Sequence, residues 1–365
     1  MSCTPTGPLT GLRIVEFAGL GPAPFACMLL SDMGADVVTI DRPGKRLGDA
    51  THLTGRGRSV VLADLKDAPA RETVLSLLDR ADVLVEGFRP GVMERLGLGP
   101  EVLAERNPRL VYGRMTGWGQ HGPLSHTAGH DINYIALAGA LHAIGPAGGP
   151  PVPPLNLVGD YGGGSLYLVA GILAALHERQ RPGRGQVVDA AITDGVLSLM
   201  THFVSSSLRG QFDERRGTHL LDGGAPFYGV YATADDKHVS IGALEPAFFA
   251  QLCERIGVAC GLRDAQADRT RWPAPHAEFG RIFESRTRDA WTALLEDSDA
   301  CFAPVLALGE TAAHPHHVAR GAFVDVEGVR HPAPAPRFSR TPSAIQGPAP
   351  LQASDPHEVL KRWSG

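Results

Sequence analysis

The chain has 365 residues, of which 43% are hydrophobic, 20% charged and 6% aromatic, and its net charge is −5. A chain of this length exceeds one ordinary hydrophobic core, so two domains are expected. The acidic balance argues against binding to bulk nucleic acid, while the 44 glycines and 29 prolines suit an α/β fold with many tight loops.

Five cysteines are scattered along the chain without a CxxC pair. This pattern predicts reduced thiols in a cytoplasmic protein, with neither a disulfide framework nor a zinc site. The polar, Pro-rich start does not have the pattern of a signal peptide. Even the apolar run 166–176 is too short for a transmembrane helix and is followed by charge, so no membrane span is expected.

The first half of the chain alternates strand and helix patterns. Apolar runs at 12–17 and 35–40 predict strands on either side of a helix at 25–33, which is a βαβ unit. The same alternation then returns with further strands and a helix at 59–63, 70–78, 83–86 and 110–115. The first half is therefore predicted to be a doubly wound α/β domain with a parallel sheet.

The loop after the first predicted strand needs to be compared with a dinucleotide-binding motif. Gly19 and Gly21 follow that strand, and Asp41 ends the next strand at a suitable distance. The third glycine of the motif is absent, however, and Pro22 and Pro24 remove backbone donors that a pyrophosphate would use. NAD binding is therefore disfavoured.

Basic residues follow the ends of several predicted strands. Arg42, Lys66 and Arg89 each come after a different strand. Because ligands of open α/β sheets bind at the carboxyl ends of the strands, these side chains are predicted to converge on an anionic ligand with several phosphates. Lys45 and Arg58, by contrast, are expected to be solvated surface residues.

The segment Gly129-His-Asp-Ile-Asn-Tyr134 stands just ahead of an apolar run. His130 is the side chain whose charge changes near neutral pH, and Asp131 lies at a predicted helix N-terminus with exposed backbone N–H groups. These parts suffice to remove a proton and to hold the resulting oxyanion. The alternative is a capping aspartate beside an ordinary loop histidine.

Two further carboxylates stand just ahead of predicted helices. Asp160 precedes the helix at 166–176 and is followed by three glycines, which would let a ligand chain approach the backbone closely. Glu245 precedes Pro246, which suits the first turn of a helix. For both carboxylates the alternative is an ordinary residue at the N-terminus of a helix.

The second half of the chain has a different pattern. A charged segment at 209–216 and a glycine-rich loop at 217–225 separate it from the first half. Predicted hairpin strands and helices follow at 227–232, 238–241, 246–256, 276–285 and 288–296. We predict a large domain at 1–208, a linker at 209–225, a smaller α+β domain at 226–318 and a Pro-rich C-terminal arm at 319–365. The tract His314-Pro-His-His317 is a poor metal site because no Cys or carboxylate ligand is near it in sequence.

Several motifs carry a resemblance to a known family. The segments 9–41, 60–66, 81–97 and 117–123 resemble the family III CoA transferases of the CaiB/BaiF type, in the right order and over nearly the whole chain. The segments 129–134, 156–160, 221–228 and 242–246 resemble the α-methylacyl-CoA racemase branch of that family more closely than its transferases.

The resemblance implies roles for individual residues. His130 and Asp160 match the two acid/base residues, and Glu245 matches a residue that supports His130 from the small domain. In the alternative, a CoA transferase, Asp131 would be the nucleophile that attacks the thioester. The positions implied to contact the CoA thioester are Arg42, Ala63, Asp64, Leu65, Lys66, Gly87, Phe88, Arg89, Arg95, Gly129, Ile132, Asn133 and Tyr134.

The resemblance also implies an architecture and a reaction. The architecture is a large Rossmann-like domain with a doubly wound parallel sheet and a smaller α+β domain, in an interlocked homodimer whose C-terminal arm returns to the large domain. The reaction moves the α-proton of a 2-methylacyl-CoA thioester between its two faces through an enolate, with no metal or redox cofactor. A CoA-binding protein without catalysis is a further alternative. Branched fatty acyl, sterol side-chain, bile-acid and 2-arylpropionyl esters all remain open as substrates.

Overall fold

The computed structural model of the chain describes residues 6–258 and 266–364, which form two compact units. The first unit comprises the described parts of Met1–Ala138, Pro154–Thr201 and Pro315–Gly365. The second unit comprises Gly139–Pro153 and the described parts of His202–His314. It therefore includes residues 139–153, which the sequence analysis assigned to the large domain, because the Arg216 guanidinium donates hydrogen bonds to the carbonyls of His142 and Gly149.

The strands of the structure follow the predicted order. They are β1 (Arg13–Phe17), β2 (Asp36–Asp41), β3 (Arg58–Leu62), β4 (Val83–Glu86), β5 (Val111–Thr116), β6 (Val187–Ala191), β7 (Tyr228–Ala232), β8 (His238–Gly242), β9 (Phe302–Val305), β10 (Phe323–Val326) and β11 (Val329–Pro332). The first six belong to the first unit and β7, β8 and β9 to the second. The hairpin β10–β11 lies in the C-terminal part of the first unit.

The α-helices are α1 (Pro22–Asp32), α2 (Ala68–Leu78), α3 (Val92–Arg95), α4 (Pro100–Arg106), α5 (Asp131–Leu137), α6 (Ala140–Ala143), α7 (Leu166–Glu178), α8 (Ile192–Leu199), α9 (Thr201–Leu208), α10 (Pro246–Ile256), α11 (Pro273–Phe283), α12 (Arg288–Leu295), α13 (Pro315–Ala319) and α14 (Pro356–Arg362). Several of them begin with proline, whose fixed φ and missing N–H suit the first helical turn. At α1 this explains why Pro22 follows the strand β1 so closely.

The six strands of the first unit form one parallel sheet in the order β3-β2-β1-β4-β5-β6. The order reverses between β1 and β4, where Ile14 pairs with Val83. This is the strand order of the Rossmann fold, in which ligands bind outside the carboxyl ends of the strands at the reversal. The predicted doubly wound α/β fold with a second, smaller α+β unit is confirmed.

One helical segment runs without interruption from Leu157 to Glu178 and joins a π-helix, Leu157–Ser165, to α7. The sequence predicts this helix only from residue 166, because glycines disfavour helix interiors. The segment has 22 residues and a window of mean hydropathy 1.3, so by length and composition alone it could cross a membrane, whereas the apolar run considered in the sequence was only 166–176. No other helix within the described ranges passes that test. On the side that faces the sheet, Leu168 and Ile172 are fully buried and approach Gly113.

The glycines of the π-helix allow it to pack closely on α8. A Cβ atom on Gly195 would lie 1.9 Å from the carbonyl oxygen of Gly163, and a Cβ on Gly163 would lie 2.9 Å from the backbone nitrogen of Val196. Real Cβ atoms do not approach neighbours so closely. One of the two interpretations of these glycines in the sequence was close approach of a ligand chain, but at Gly163 the space is occupied by α8.

The C-terminal residues are anchored to the first unit by buried and hydrogen-bonded side chains. Trp363 is buried in its core and its indole N–H donates to Asp36 across 2.8 Å. Arg56, which is buried, binds the carboxylate of Asp32 and donates to the carbonyl of Pro332 in β11 across 3.0 Å. These contacts explain why the chain from Pro315 onwards belongs to this unit.

The second unit is built on the antiparallel sheet β7-β8-β9. Its core is aromatic, with Phe227, Phe249, Phe279, Phe283 and Trp291 all buried. His314 Nε2 lies 2.7 Å from Glu296 Oε1. Across the described ranges, no cluster of three or more His, Cys, Asp or Glu side chains is placed to hold a metal. The cysteines of these ranges, at 27, 253 and 301, are thiols.

Candidate active site

A cavity of about 710 Å³ lies in the first unit, where the loops after β1 to β4 meet. It is therefore at the strand ends where the sheet topology predicts a ligand. Six of the residues implied to contact CoA line it: Arg42, Ala63, Asp64, Leu65, Lys66 and Phe88. Gly87, Arg89 and Arg95 do not line this cavity.

Exposed cations outnumber carboxylates at this cavity. Arg42, Lys45, Arg46 and Lys66 are exposed residues in its lining. The two carboxylates beside them, at positions 41 and 64, each accept a hydrogen bond from the backbone N–H of the nearby basic residue, Arg42 or Lys66. The rim of the cavity is thus suited to a ligand with several negative charges.

Arg58 is not a solvated surface residue, contrary to the sequence analysis. Its side chain is almost fully buried and forms an ion pair of 2.6 Å with the buried Glu16, which also accepts a hydrogen bond from Thr39. The same guanidinium donates to the carbonyls of Pro24 and Thr54. Arg58 therefore ties the start of α1 to the wall of the cavity.

Asp160 lies in the π-helix, close to the loop that follows β1. A Cβ atom on Gly21 would be 2.9 Å from Asp160 Oδ2, and Gly21 has a φ of +69°, which glycine adopts without strain. Asn156 Nδ2 donates to the same Asp160 oxygen across 3.3 Å. Because Gly21 also lines the cavity, the carboxylate of Asp160 stands next to the cavity.

The carboxylate of Asp131 is directed at the π-helix. Its Oδ2 accepts a hydrogen bond of 2.7 Å from the backbone N–H of Asp160, and the N–H of Gly159 also donates to this carboxylate. Asp131 Oδ1 is buried and makes no hydrogen bond to any described residue. The carboxylate of Asp131 thus holds the π-helix against α5.

His130 is the N-cap residue of α5 and is exposed. Its backbone N–H donates to Asn133 Oδ1 across 3.0 Å, which satisfies one group of the helix start. The ring of His130 extends from the last non-helical residue, immediately before Asp131. The imidazole is thus carried by the residue that directly precedes Asp131, whose carboxylate holds the backbone of Asp160.

Burial raises the pKa of the Asp160 carboxyl, and the charge of Asp131 raises it further. The hydrogen bond from Asn156 and the charge of His130 oppose this rise. Burial also raises the pKa of Asp131, against the effect of the N–H groups of Asp160 and Gly159. Asp160 is accordingly a carboxylate whose proton affinity is moved towards neutral pH, which suits a general base.

Tyr134 packs against the segment that precedes His130. Its hydroxyl donates to the carbonyl of Gly129 across 2.5 Å, and its ring meets the Trp118 ring edge-to-face at 4.7 Å. A Cβ on Gly129 would lie 2.8 Å from the Tyr134 ring. Burial raises the pKa of Tyr134, while the positive charge of Arg89 lowers it. Arg89 therefore lies near Tyr134 of α5, although it does not line the cavity.

The other residues that the family resemblance implied lie in different elements of the fold. Ile132 is 44% exposed in the first turn of α5. Arg95, at the end of α3, lies beside Gly91. Glu245 belongs to the second unit, where it is exposed at the N-cap of α10. Burial raises the pKa of the Cys301 thiol, and the charge of Glu245 raises it further. Asn156, Gly21 and Tyr161, which respectively bind, adjoin and follow Asp160, received no role in this site from the sequence, although the segment 156–160 and the loop with Gly21 stood out there for other reasons.

Residues 9–355 match the family described as CoA-transferase family III. The chain belongs to CoA-transferase family III. Among curated members, an α-methylacyl-CoA racemase of Mus musculus is 43% identical over 336 residues, which cover 92% of this chain and 87% of the mouse protein. The α-methylacyl-CoA racemase of Homo sapiens is 42% identical over the same shares of the two chains.

The family III fold is also found among solved structures. A CaiB/BaiF family protein from Brucella suis superposes with a TM-score of 0.84 at 25% identity, covering 98% of this chain and 100% of that one. The resemblance drawn from the sequence motifs is thereby confirmed. This family III chain therefore combines a cavity suited to a polyanion with the Asp160 carboxylate next to it, and the backbone of Asp160 is hydrogen-bonded to Asp131, the residue that follows His130.

Proposed function

We propose that this chain is an α-methylacyl-CoA racemase, an isomerase that interconverts (R)- and (S)-2-methylacyl-CoA esters by two-base proton transfer. The observation that carries the proposal is the junction of α5 and the π-helix. There Asp131 holds the backbone of Asp160 while His130 precedes Asp131 directly. Two groups able to exchange protons thus belong to one hydrogen-bonded junction, and the relatives named above support the substrate class.

The CoA part of the substrate would occupy the cavity. Its phosphates would meet the exposed cations Arg42, Lys45, Arg46 and Lys66, because charge-assisted hydrogen bonds to phosphate are the strong ones. The thioester would then lie towards Gly21 and Asp160. Because cations lie at one end of the site and a partly buried carboxylate at the other, the substrate would bind in a single orientation.

The proton transfer would need one base on each face of the α-carbon. For one epimer, Asp160 removes the α-proton and protonated His130 supplies a proton to the opposite face; for the other epimer the roles are exchanged. The enolate oxygen formed between these steps requires hydrogen-bond donors, and the N–H of Asp131 at the start of α5 is a suitable one. One such donor is worth about 3–4 kcal/mol of barrier. Only acids and bases are used, so the proposed reaction needs no cofactor beyond the CoA of the substrate.

The alternative reaction, CoA transfer through Asp131 as nucleophile, has less support. A carboxylate nucleophile must reach the thioester carbon with a free oxygen. The Asp131 carboxylate accepts hydrogen bonds from the backbone N–H groups of Asp160 and Gly159, and its Oδ1 is buried, so attack would first require the junction with the π-helix to open. The same contacts suit a residue that positions its neighbours.

The test is an exchange experiment in heavy water. Each epimer of a 2-methylacyl-CoA is incubated with the enzyme without any added carboxylic acid, and both α-deuteration and epimer ratio are followed. A racemase incorporates deuterium from either epimer and drifts towards a near-equal mixture. Turnover that requires a second carboxylic acid and moves CoA to it would establish the transferase instead.

We also propose that the active assembly is the interlocked homodimer implied by the family resemblance. Threaded subunits cannot separate without substantial unfolding. The mass measured by light scattering should therefore remain that of a dimer on dilution to nanomolar concentration. A folded, active monomer under these conditions would contradict this assembly.

A further inference from the structure

Tyr161 is the residue of the π-helix that lines the CoA cavity. The loop after β1 and the first turn of α1 also line the cavity, through Gly21 and Pro24 among others. Asp160 directly precedes Tyr161, and its carboxylate lies against Gly21. The aromatic side chain of Tyr161 therefore stands in the part of the cavity near Asp160.

The ring of Tyr161 is held by packing on α1. It stacks on the ring of Phe25, with 4.2 Å between the ring centroids and an angle of 21° between the planes. Ser165 Oγ donates to the carbonyl of Pro22 across 2.7 Å, which ties the start of α1 to the same π-helix. The backbone N–H of Tyr161 donates to the carbonyl of Asn156 across 3.2 Å. The fold thus fixes both the backbone and the ring that carry the phenol hydroxyl.

Three hydroxyl groups line the cavity, and two of them have a partner in the protein. Thr39 donates to Glu16 across 2.7 Å, and Thr54 Oγ1 lies 3.3 Å from His52 Nε2. The phenol of Tyr161 makes no hydrogen bond to any residue in the described ranges, although its side chain is half-buried. A packed tyrosine usually has a partner for its hydroxyl. A ligand in the cavity can supply that partner.

The expected position of CoA in the cavity indicates which of its groups meets the phenol. The phosphates are proposed to lie at the exposed cations and the thioester towards Asp160, so the pantetheine arm has to cross the lining between them. The arm contains two amides, and the nearer one is separated from the thioester sulfur by only two methylene groups. An amide is also the neutral hydrogen-bonding group that a neutral phenol matches without a cost of burying charge.

We propose that the Tyr161 hydroxyl donates a hydrogen bond to the carbonyl of the pantetheine amide nearest the sulfur and so selects pantetheine thioesters. The inference rests on the proposed function for the position of the thioester. Because Tyr161 follows Asp160 in the π-helix, this bond holds the arm beside the proposed base. A thioester without that amide leaves the phenol unpaired in the occupied site and binds more weakly.

The experiment is a double-mutant cycle between the protein and the ligand. Dissociation constants are measured for CoA and for an analogue in which a hydrocarbon unit replaces the amide nearest the sulfur. Tyr161→Phe should weaken CoA about tenfold, and the wild type should bind the analogue about tenfold more weakly than CoA. The two changes together should cost no more than either alone, because both remove the same hydrogen bond. The nucleotide part of CoA without its pantetheine arm should bind equally to both proteins.

Tyr167→Phe is the matched control variant. It removes the same oxygen from a tyrosine of the same helical segment, whose hydroxyl donates to Ser198 across 2.7 Å outside the cavity. No affinity should change in this variant. Tyr161→Phe retains the ring that stacks on Phe25, so its melting temperature should stay near that of the wild type. In turnover of 2-methylacyl-CoA it should raise KM about tenfold and leave kcat within about twofold, as expected for lost uniform binding.

Three results would overturn the inference. The first is an unchanged affinity for CoA in Tyr161→Phe, which would leave the residue a purely packing role on Phe25. The second is an additive loss in the cycle, which would place the phenol on another group of the ligand. The third is a fall in kcat with unchanged affinity, which would place it at the reacting atoms. Absence of racemisation in the wild type would overturn the proposed function instead, and the binding cycle would still decide the role of Tyr161.

Discussion

The carboxylate of Asp131 and the backbone N–H of Asp160 are joined by a hydrogen bond of 2.7 Å. Residues 29 positions apart in the sequence are thereby fixed to each other, and His130 is carried by the same junction. The consequence is that the spacing of the two proposed bases depends on a carboxylate that need not itself react. This relationship separates a positioning role for Asp131 from a nucleophilic one.

Replacement of Asp131 distinguishes these roles. Asp131→Asn keeps an oxygen that accepts the N–H of Asp160, so racemisation should remain within about tenfold of the wild type. Asp131→Ala leaves the buried N–H without its acceptor, which should destabilise the fold by about 1–3 kcal/mol and lower kcat further. Thermal unfolding and racemisation rates are the measurements. Complete inactivity of Asp131→Asn with normal folding would favour the nucleophile.

Replacement of either base should separate exchange from inversion. His130→Ala should abolish racemisation in both directions, since every turnover uses both faces of the α-carbon. Deuterium exchange should survive with the one epimer whose α-proton faces Asp160, because that base can remove and return it on the same side. Asp160→Ala should show the mirror pattern. Retained exchange of the same epimer by both variants would show that the two-base assignment is wrong.

Gly21 should be required as clearance for Asp160. Gly21→Ala places a Cβ atom 2.9 Å from Asp160 Oδ2, whereas Gly44→Ala places one in open space. Both glycines have positive φ, +69° and +75°, so each variant carries backbone strain, and Gly21, with a ψ of −115°, lies outside the left-handed helical region. We expect kcat to fall strongly in Gly21→Ala only, with the exchange due to Asp160 most affected. Equal activities of the two variants would remove the contact from the mechanism.

The pH dependence should report the hydrogen bond from Asn156 to Asp160. This bond favours the ionised carboxylate, so Asn156→Ala should raise the pKa of Asp160 further above its ordinary value. For the epimer whose proton Asp160 removes, the acidic limb of kcat/KM should then move to higher pH, because fewer molecules carry the carboxylate at a given pH. For the other epimer Asp160 acts as the acid, and the alkaline limb should move to higher pH. Profiles that do not move would show that Asp160 is not the titrating group.

Arg42 should contribute to binding and not to chemistry. Arg42→Ala should raise the KM of CoA esters about tenfold or more through the loss of a charge-assisted hydrogen bond, with kcat nearly unchanged. The exposed Arg340, which does not line the cavity, offers a control with the same loss of charge. An unchanged KM, or a KM raised equally by Arg340→Ala, would place the phosphates elsewhere.

The sheet and the segments of the site were largely predictable from the sequence. Alternating apolar runs and short loops indicate a parallel sheet because hydrophobic periodicity is a local property of each strand and helix. The predicted strand at 83–86 coincides with β4, and the helix predicted at 246–256 coincides with α10. His130 and Asp131 were recognisable because both stand at one helix start, where the chemistry of the residue types is evident without any distant contact.

The tertiary structure alone decided which partner each polar side chain has. Arg58 was expected in solvent, but the parallel sheet brings β3 close to β1, so its guanidinium is buried against Glu16, 42 residues earlier. Asp160 was expected before a helix, but packing of glycines against α8 extends the helix around it. The hydrogen bond from the N–H of Asp160 to the Asp131 carboxylate likewise forms only because the folded chain brings the π-helix next to α5. A local pattern determines what a segment becomes, whereas burial and pairing depend on residues that only the folded chain brings together.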